Sequence, residues 1–251
     1  MSFGTIVIGL AERDGDDDPM ELATRLADAD GAELVRCHVD LRHPWVGSPA
    51  RGLVQRIELH EADLVVVGSG RRAAAGRLLP TRTARQLVEH APCPVAIAPH
   101  GYQGSGAFLH IGVAYDGTPE ADRALELAYA LAARDGAAVT LYWTIPDGRV
   151  AYAGMPAPEV DEEEQRTRMH AQDALDDAAD RAPAGVNPET ILLRGDPATD
   201  IGTAADGIVD LLVTGSRAPG PVRRMLGDSI SEQLVICATQ PVLIVPRASL
   251  R

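Results

Sequence analysis

The chain repeats itself, and a repeat constrains architecture more tightly than any local propensity, because two copies of one pattern must build two copies of one unit. Ala62-Asp63-Leu64-Val65-Val66-Val67-Gly68-Ser69 recurs as Val209-Asp210-Leu211-Leu212-Val213-Thr214-Gly215-Ser216, which sets Gly68 against Gly215 at an offset of 147. The same offset carries Pro94-Val95-Ala96-Ile97-Ala98-Pro99 onto Pro241-Val242-Leu243-Ile244-Val245-Pro246. It also carries Arg77, Leu79, Gln86 and Leu87 onto Arg224, Leu226, Gln233 and Leu234. Toward the front the offset is 105, with Ile6 on Ile111, Glu21-Leu22-Ala23 on Glu126-Leu127-Ala128, and Gly31-Ala32 on Gly136-Ala137. The offsets differ by 147 minus 105, so the first copy is 42 residues shorter, and the shortfall lies in its middle.

The second copy alternates between two periods. Short apolar runs near turn signals predict strands at Ile111 to Tyr115, Ala138 to Trp143, Thr190 to Leu193, Leu211 to Thr214 and Val242 to Val245. Helices fill the intervals. Pro119 suits the first turn of a helix running to Arg134 and ended by Gly136; Asp161 to Asp180 reads as a long polar helix; Pro197 opens a short one; Ser229 to Ala238 carries apolar residues at Ile230, Leu234 and Cys237. Right-handed crossovers turn such an alternation into a doubly wound parallel sheet, so the fold class is α/β. Scarce aromatics, at 4%, within a 45% hydrophobic content agree with aliphatic strands under helices.

The first copy keeps matching segments at Ile6 to Leu10, Pro19 to Ala29, Glu33 to Val39, Leu53 to His60, Leu64 to Val67, Arg82 to His90 and Val95 to Ala98. Gly47-Ser48-Pro49-Ala50 resembles Gly195-Asp196-Pro197-Ala198, but Val39 and Gly47 stand too close for a parallel crossover, which needs about a dozen residues. The first copy is therefore expected to lack the second helix and the third strand. The expected division is a first domain over 1–100, a linker over 101–107 containing Gly101, Gly104, Ser105 and Gly106, and a second domain over 108–251.

Charge and cysteine usage narrow the function classes. A formal net charge of −13 would repel a polyphosphate backbone, and without a local basic patch no nucleic-acid partner is expected. No apolar run approaches the roughly 18 residues of a membrane span, and the start has no secretory pattern, so a cytoplasmic location without a membrane partner is expected. Cys37, Cys93 and Cys237 are widely spaced, which indicates buried free thiols rather than disulfides or zinc. The seven histidines show no ligand spacing, and no metal site is proposed from them.

Three places resemble the universal stress protein family, and together with the repeat the resemblance spans nearly the whole chain. Val113-Ala114-Tyr115-Asp116-Gly117-Thr118-Pro119 resembles the family's opening strand and Asp-Gly-Ser turn. Gly195-Asp196-Pro197-Ala198 resembles its turn after the third strand, and Thr214-Gly215-Ser216-Arg217 with Leu226 to Leu234 and Gln240-Pro241-Val242-Leu243-Ile244-Val245 resembles its closing signature. The resemblance implies two tandem domains of the adenine nucleotide alpha hydrolase-like type, each a doubly wound parallel sheet of order 3-2-1-4-5. It implies that their last strands join them as a pseudo-dimer, with further homodimerisation open. It further implies a stress-response regulator whose second domain binds an adenine nucleotide, ATP with a divalent ion. Asp116 would hold the ribose or adenine, Val113 and Ala114 would wall the adenine, and Gly215, Ser216, Gly227 and Ser229 would meet the phosphates. Tyr115, Gly195, Arg217, Gly220 and Ile230 complete the candidate set.

The closing signature has the form G-x2-G-x9-G-[S/T]; its glycines let backbone N–H groups reach the phosphates, and the helix N-terminus that follows adds partial positive charge. Here Gly215 and Ser229 match, Ala218 replaces the second glycine with Gly220 two residues on, and Asp228 replaces the third with Gly227 just before it. An acid there opposes a phosphate, while Arg217, Arg223 and Arg224 offset it. The first copy departs further, with Ala11 in place of Asp116, Arg71 at the second glycine and Thr81-Arg82 at the third glycine and its hydroxyl, so no nucleotide is expected there. Simpler roles stand beside each residue: Asp116 as a turn residue, Ser216 and Ser229 as helix caps, the arginines as a solvated face. The run Asp161-Glu162-Glu163-Glu164 is a helix-start cluster that complements the dipole. A non-nucleotide interaction module of the same fold is the alternative function. A slow phosphohydrolase using Asp228 or Asp196 is a weaker one, and no catalytic set is assigned.

Overall fold

A computed structural model describes residues 3–11, 17–27, 31–39, 48–70, 78–147, 157–216 and 230–246. The first copy contributes β1 (Thr5–Ala11), α1 (Asp18–Ala27), β2 (Glu33–Val39), α2 (Pro49–Leu59), β3 (Leu64–Gly68), α3 (Arg82–His90) and β4 (Val95–Ala98). The second contributes β5 (His110–Ala114), α4 (Pro119–Asp135), β6 (Ala138–Ile145), α5 (Ala157–Asp180), β7 (Glu189–Arg194), α6 (Pro197–Ala205), β8 (Leu211–Ser216), α7 (Ile230–Cys237) and β9 (Val242–Pro246). Among the described residues nine strands join one mixed sheet in the order β2-β1-β3-β4-β9-β8-β5-β6-β7. Neighbouring strands run parallel within each copy; the exception in the sheet is the antiparallel β4–β9 pair at its centre.

That central pair follows from the repeat. Val95 faces Ile244, Ala96 faces Leu243 and Ile97 faces Val242. At the offset of 147, Leu243 is Ala96's own counterpart, and the flanking pairs exchange each other's counterparts. The pairing is thus isologous about a pseudo-two-fold axis through Ala96 and Leu243, as in a symmetric dimer built inside one chain. Because the halves run oppositely, the C-terminal ends of β1 and β3 open at one end of the sheet and those of β5 and β8 at the other.

Two apolar layers sandwich the sheet, and strand periodicity assigns residues to them. Ile6, Ile8, Val66, Ile111, Val113, Val139, Leu141, Val213 and Leu243 point to the layer under α1, α4 and α5, packing on Leu22, Leu26, Leu125, Leu131 and Leu175. Their neighbours Val7, Val65, Ile97, Tyr142, Leu212, Val242 and Ile244 point to the layer under α2, α3, α6 and α7, against Leu53, Ile57, Leu87, Ile201 and Leu234. Each layer runs unbroken across both copies, and each fully buried aliphatic side chain contributes about 1.5–3 kcal/mol.

Among the described residues the first copy has no helix matching α5 and no strand matching β7. Its α2 starts at Pro49, four residues before the expected Leu53, because Ser48 accepts from the Arg51 N–H and Pro49 fits the first helical turn. The matching α6 is capped the same way by Asp196, which accepts from the Thr199 N–H, ahead of Pro197. The long helix begins at Ala157 rather than Asp161.

The segment between β4 and β5 is fastened down. Asp18 accepts from the Gly101 N–H at 2.9 Å, and the buried Arg25 donates to Tyr102 Oη, Gly106 O, Ala107 O and the Asp210 carboxylate. Arg25 also stacks on the Phe108 ring at 3.9 Å from its centroid. Arg134 of α4 crosses to the Leu26 carbonyl of α1 at 2.8 Å.

Candidate functional site

Chain direction changes between β5 and β8. After β5 the chain moves outward through β6 and β7; after β8 it moves inward to β9. Such a switch point leaves a crevice beyond the strand ends, where this architecture takes its ligands. Two parts of the proposed set come near each other there, since Ala114 pairs with Thr214, Asp116 lies in the turn after β5, and Gly215-Ser216 are the last residues of β8.

Asp116 sits exposed in the first turn after β5. Its Oδ1 accepts from the Thr118 hydroxyl at 2.6 Å and the Thr118 N–H at 3.2 Å, which fixes the carboxylate against the turn. Thr118 also caps α4 by accepting from the Ala121 N–H at 3.3 Å, so one side chain orients Asp116 and begins the helix. Thr118 was outside the sequence-derived set, although a Thr before a Pro at a helix start is a readable cap signal. The Trp143 ring borders the same turn, 3.2 Å from where a Gly117 Cβ would stand, and was likewise missed.

The other opening-strand residues divide between the layers. Val113 is fully buried beneath α4, whereas Ala114 turns to the opposite layer and is half-buried. Side chains one residue apart on a strand point to opposite faces, so these two cannot wall one pocket with their side chains. Tyr115 is 6% exposed, donates to Asp122 at 2.8 Å and receives Arg181 at 2.7 Å. Burial and the Asp122 carboxylate push its phenol up to about 12, which outweighs the opposing pull of Arg181.

Gly215 has a packing role that its spacing does not reveal. A Cβ there would stand 2.5 Å from the Glu120 carbonyl carbon and oxygen and 2.8 Å from the Ala121 nitrogen. Absence of a side chain therefore lets the end of β8 press against the first turn of α4. Ser216 beside it is buried. Gly195 lies at the end of β7, two strands away from β5, with φ of 138° in a region that favours glycine; its N–H donates to Ile145 O at 2.9 Å. A Cβ there would run into the Asp200 carboxylate. Arg217, Gly220, Gly227 and Ser229, together with Ala218, Arg223, Arg224 and Asp228, lie outside the described residues, as does the Ile230 side chain.

In the first copy the matching strand end is tied to its own chain at Leu79. Ser69, the counterpart of Ser216, accepts from the Leu79 N–H at 2.6 Å, and the Gly70 N–H donates to Leu79 O at 2.8 Å. Thr81, at the position of Asp228, caps α3 by accepting from the Ala84 N–H at 3.1 Å.

Repetition also marks a structural pair. Asp63 accepts from the Gly4 and Thr5 N–H groups, and Asp210 from those of Leu109 and His110, so each copy ties its first strand to the neighbouring inner strand through one carboxylate. Among the described residues no group of three or more His, Cys, Asp or Glu could hold a metal ion, and no helix is long and apolar enough to cross a membrane.

The family model described as "Universal stress protein family" matches residues 10–99 and again 107–246. A universal stress protein of Mycolicibacterium smegmatis is 30% identical over 201 residues, covering 79% of this chain and 66% of its own length, so the chain spans just under two thirds of that relative. A universal stress protein of Thermus aquaticus is 34% identical over 142 residues, covering 55% of this chain and 98% of its own. A solved Pseudomonas aeruginosa protein shares the fold at a TM-score of 0.71 with 15% identity, over 98% of this chain and 94% of that one. With both copies matched and the same fold found in solved structures, the chain belongs to the universal stress protein family.

Proposed function

We propose that this chain is a stress-response regulator that binds one adenine nucleotide, ATP with a divalent ion, in its second copy. The carrying observation is the asymmetry of the two switch points. Beyond β5 an exposed carboxylate, Asp116, is held in place by Thr118, whereas in the first copy Ala11 replaces the acid. Asp116 takes the ribose hydroxyls, for which a carboxylate is a strong acceptor. The Ala114 side of β5 borders the base, and Gly215, Ser216, Gly227 and Ser229 meet the phosphates, with Arg217 offsetting charge. Bound nucleotide supplies negative charge and a rigid ligand between the two turns; the chain's residues bind and orient it. Its working place is proposed to be the cytoplasm.

The test is calorimetric titration of Mg-ATP into the full chain beside an Asp116→Ala variant. One site per chain, weakened about tenfold or more in the variant, is expected, since a charge-assisted hydrogen bond is worth about 1.5–3 kcal/mol. Ala218 and Asp228, standing where the family's phosphate loop has glycines, favour a second reading, an interaction module that takes no nucleotide. Absence of heat from a folded sample would decide for that reading.

A further inference from the structure

The chain passes from β5 into α4 through a short turn, and that turn carries Asp116. One side chain ties its two ends together: Tyr115, the first residue after β5, donates through Oη to Asp122 Oδ1 in the first turn of α4 at 2.8 Å. Arg181, just past α5, adds a second tie, its Nη2 donating to Tyr115 Oη at 2.7 Å and to Asp122 Oδ1 at 2.8 Å. The Trp143 ring stands edge-on to Tyr115, with centroids 5.9 Å apart at 69°, and borders Gly117 inside the turn. The first copy joins the same elements differently. At the offset of 105, Leu10 stands for Tyr115, Ala11 for Asp116 and Asp17 for Asp122, and among the described residues no helix matching α5 brings an arginine to them. A leucine therefore suffices to join strand and helix in the copy that has no acid to aim.

We infer that Tyr115, clamped by Asp122 and Arg181, is a positioning residue for the Asp116 carboxylate, an inference that rests on the nucleotide reading above. Asp116 takes its orientation from Thr118, whose N–H and hydroxyl both donate to Oδ1, and Thr118 is the cap of α4. The carboxylate therefore moves with the first turn of that helix. The Tyr115 hydroxyl fixes the helix start to the end of β5 across a separation of seven residues, and Arg181 fixes both to the α5 side. Hydrogen bonds joined in this way polarise one another and act as a unit. A carboxylate already held in its binding position loses less freedom when ligand arrives, and that saving appears as affinity. Tyr115 is 6% exposed in the layer under α4, so it acts through Asp116 rather than on the ligand.

A double-mutant cycle on Mg-ATP affinity tests it, read by calorimetric titration of the full chain, with circular dichroism to check that each variant folds. Tyr115→Phe keeps the ring, removes the hydroxyl and is expected to weaken binding about fivefold, within the range for coupled neighbours. Arg181→Met keeps the stem, removes the donor to both partners and should do the same; either variant, if folded, suffices for the cycle. In an Asp116→Ala background neither substitution should change the affinity further, since the group being positioned is gone. A wild type that binds at one site, with an affinity that the folded variants leave unchanged, would overturn this inference while the nucleotide reading stands. An equal loss in both backgrounds would overturn it too, because a general loosening of the fold does not depend on Asp116. A folded wild type that takes no nucleotide overturns both readings together.

Discussion

Gly215 shows how one residue can satisfy a motif and a packing need together. Its counterpart in a phosphate loop is explained by backbone approach to a ligand, yet the α4 backbone already stands at 2.5 Å from a Cβ built there. Gly215→Ala is therefore expected to destabilise the fold by about 1–3 kcal/mol through overpacking, read as a lowered urea midpoint whether or not nucleotide is present. Asp116→Ala, by contrast, removes an exposed acceptor and should change stability far less than it changes nucleotide affinity. Comparing the two variants separates a ligand residue from a packing residue. The spacing of Gly215 was legible in the sequence; its neighbour Glu120 was not, because nothing local links residues so far apart.

Elements are locked to each other by a few ion pairs that cross between copies. Arg25 lies 7% exposed in α1 and reaches Asp210, the residue that also ties β5 to β8. Arg25→Met is expected to cost about 3 kcal/mol, the low end for breaking a buried pair, since Asp210 is 31% exposed. A denaturant titration checks it. Asp135 belongs to the same junction, accepting from Arg134 and from the Phe108 N–H. Burial alone would raise its carboxyl, but those hydrogen bonds and the charges of Arg134 and Arg25 hold it below its ordinary 3.8. A depressed carboxyl stabilises the fold above its unfolded value and loses that stabilisation as pH falls through its folded value. Acid titration should thus begin to destabilise wild type below about pH 4, with a shallower slope in Asp135→Asn from a lower starting stability. The repeat revealed which elements exist, but Arg25 and Arg134 have no counterparts in it, since Ala130 and Ala29 stand at the matching positions.

At the scale of the whole molecule, both apolar layers run through the β4–β9 seam, so the copies should not unfold separately. Urea unfolding followed by far-ultraviolet circular dichroism and by tryptophan fluorescence is expected to give coincident single transitions. Two separated transitions would show that the halves are independent. Alkaline pH should weaken the whole fold, because burial pushes Tyr115, Tyr129 and the Cys93 thiol each up to about 12. A group kept neutral in the fold stabilises it below its unfolded value and loses that contribution as pH rises through its folded value. The loss should set in from pH 9 to 10, where the unfolded thiol and phenols ionise, and continue toward pH 12.

The sequence by itself determined the two copies, the alternation of strand and helix, the family, and the shortened first copy. Those features are carried by period and by repetition, which are properties of neighbours along the chain. The pairing of the two closing strands was an expectation carried by the family resemblance, not by the pattern alone. Only the tertiary structure decided that Val113 and Ala114 serve opposite layers, that Tyr115 is held by Arg181 inside the fold, and that Gly215 makes room for α4. It alone decided that Leu79 engages Ser69 in the first copy's turn. Each of those depends on residues brought together across tens of positions, where burial and close approach, rather than local pattern, set what a side chain can do.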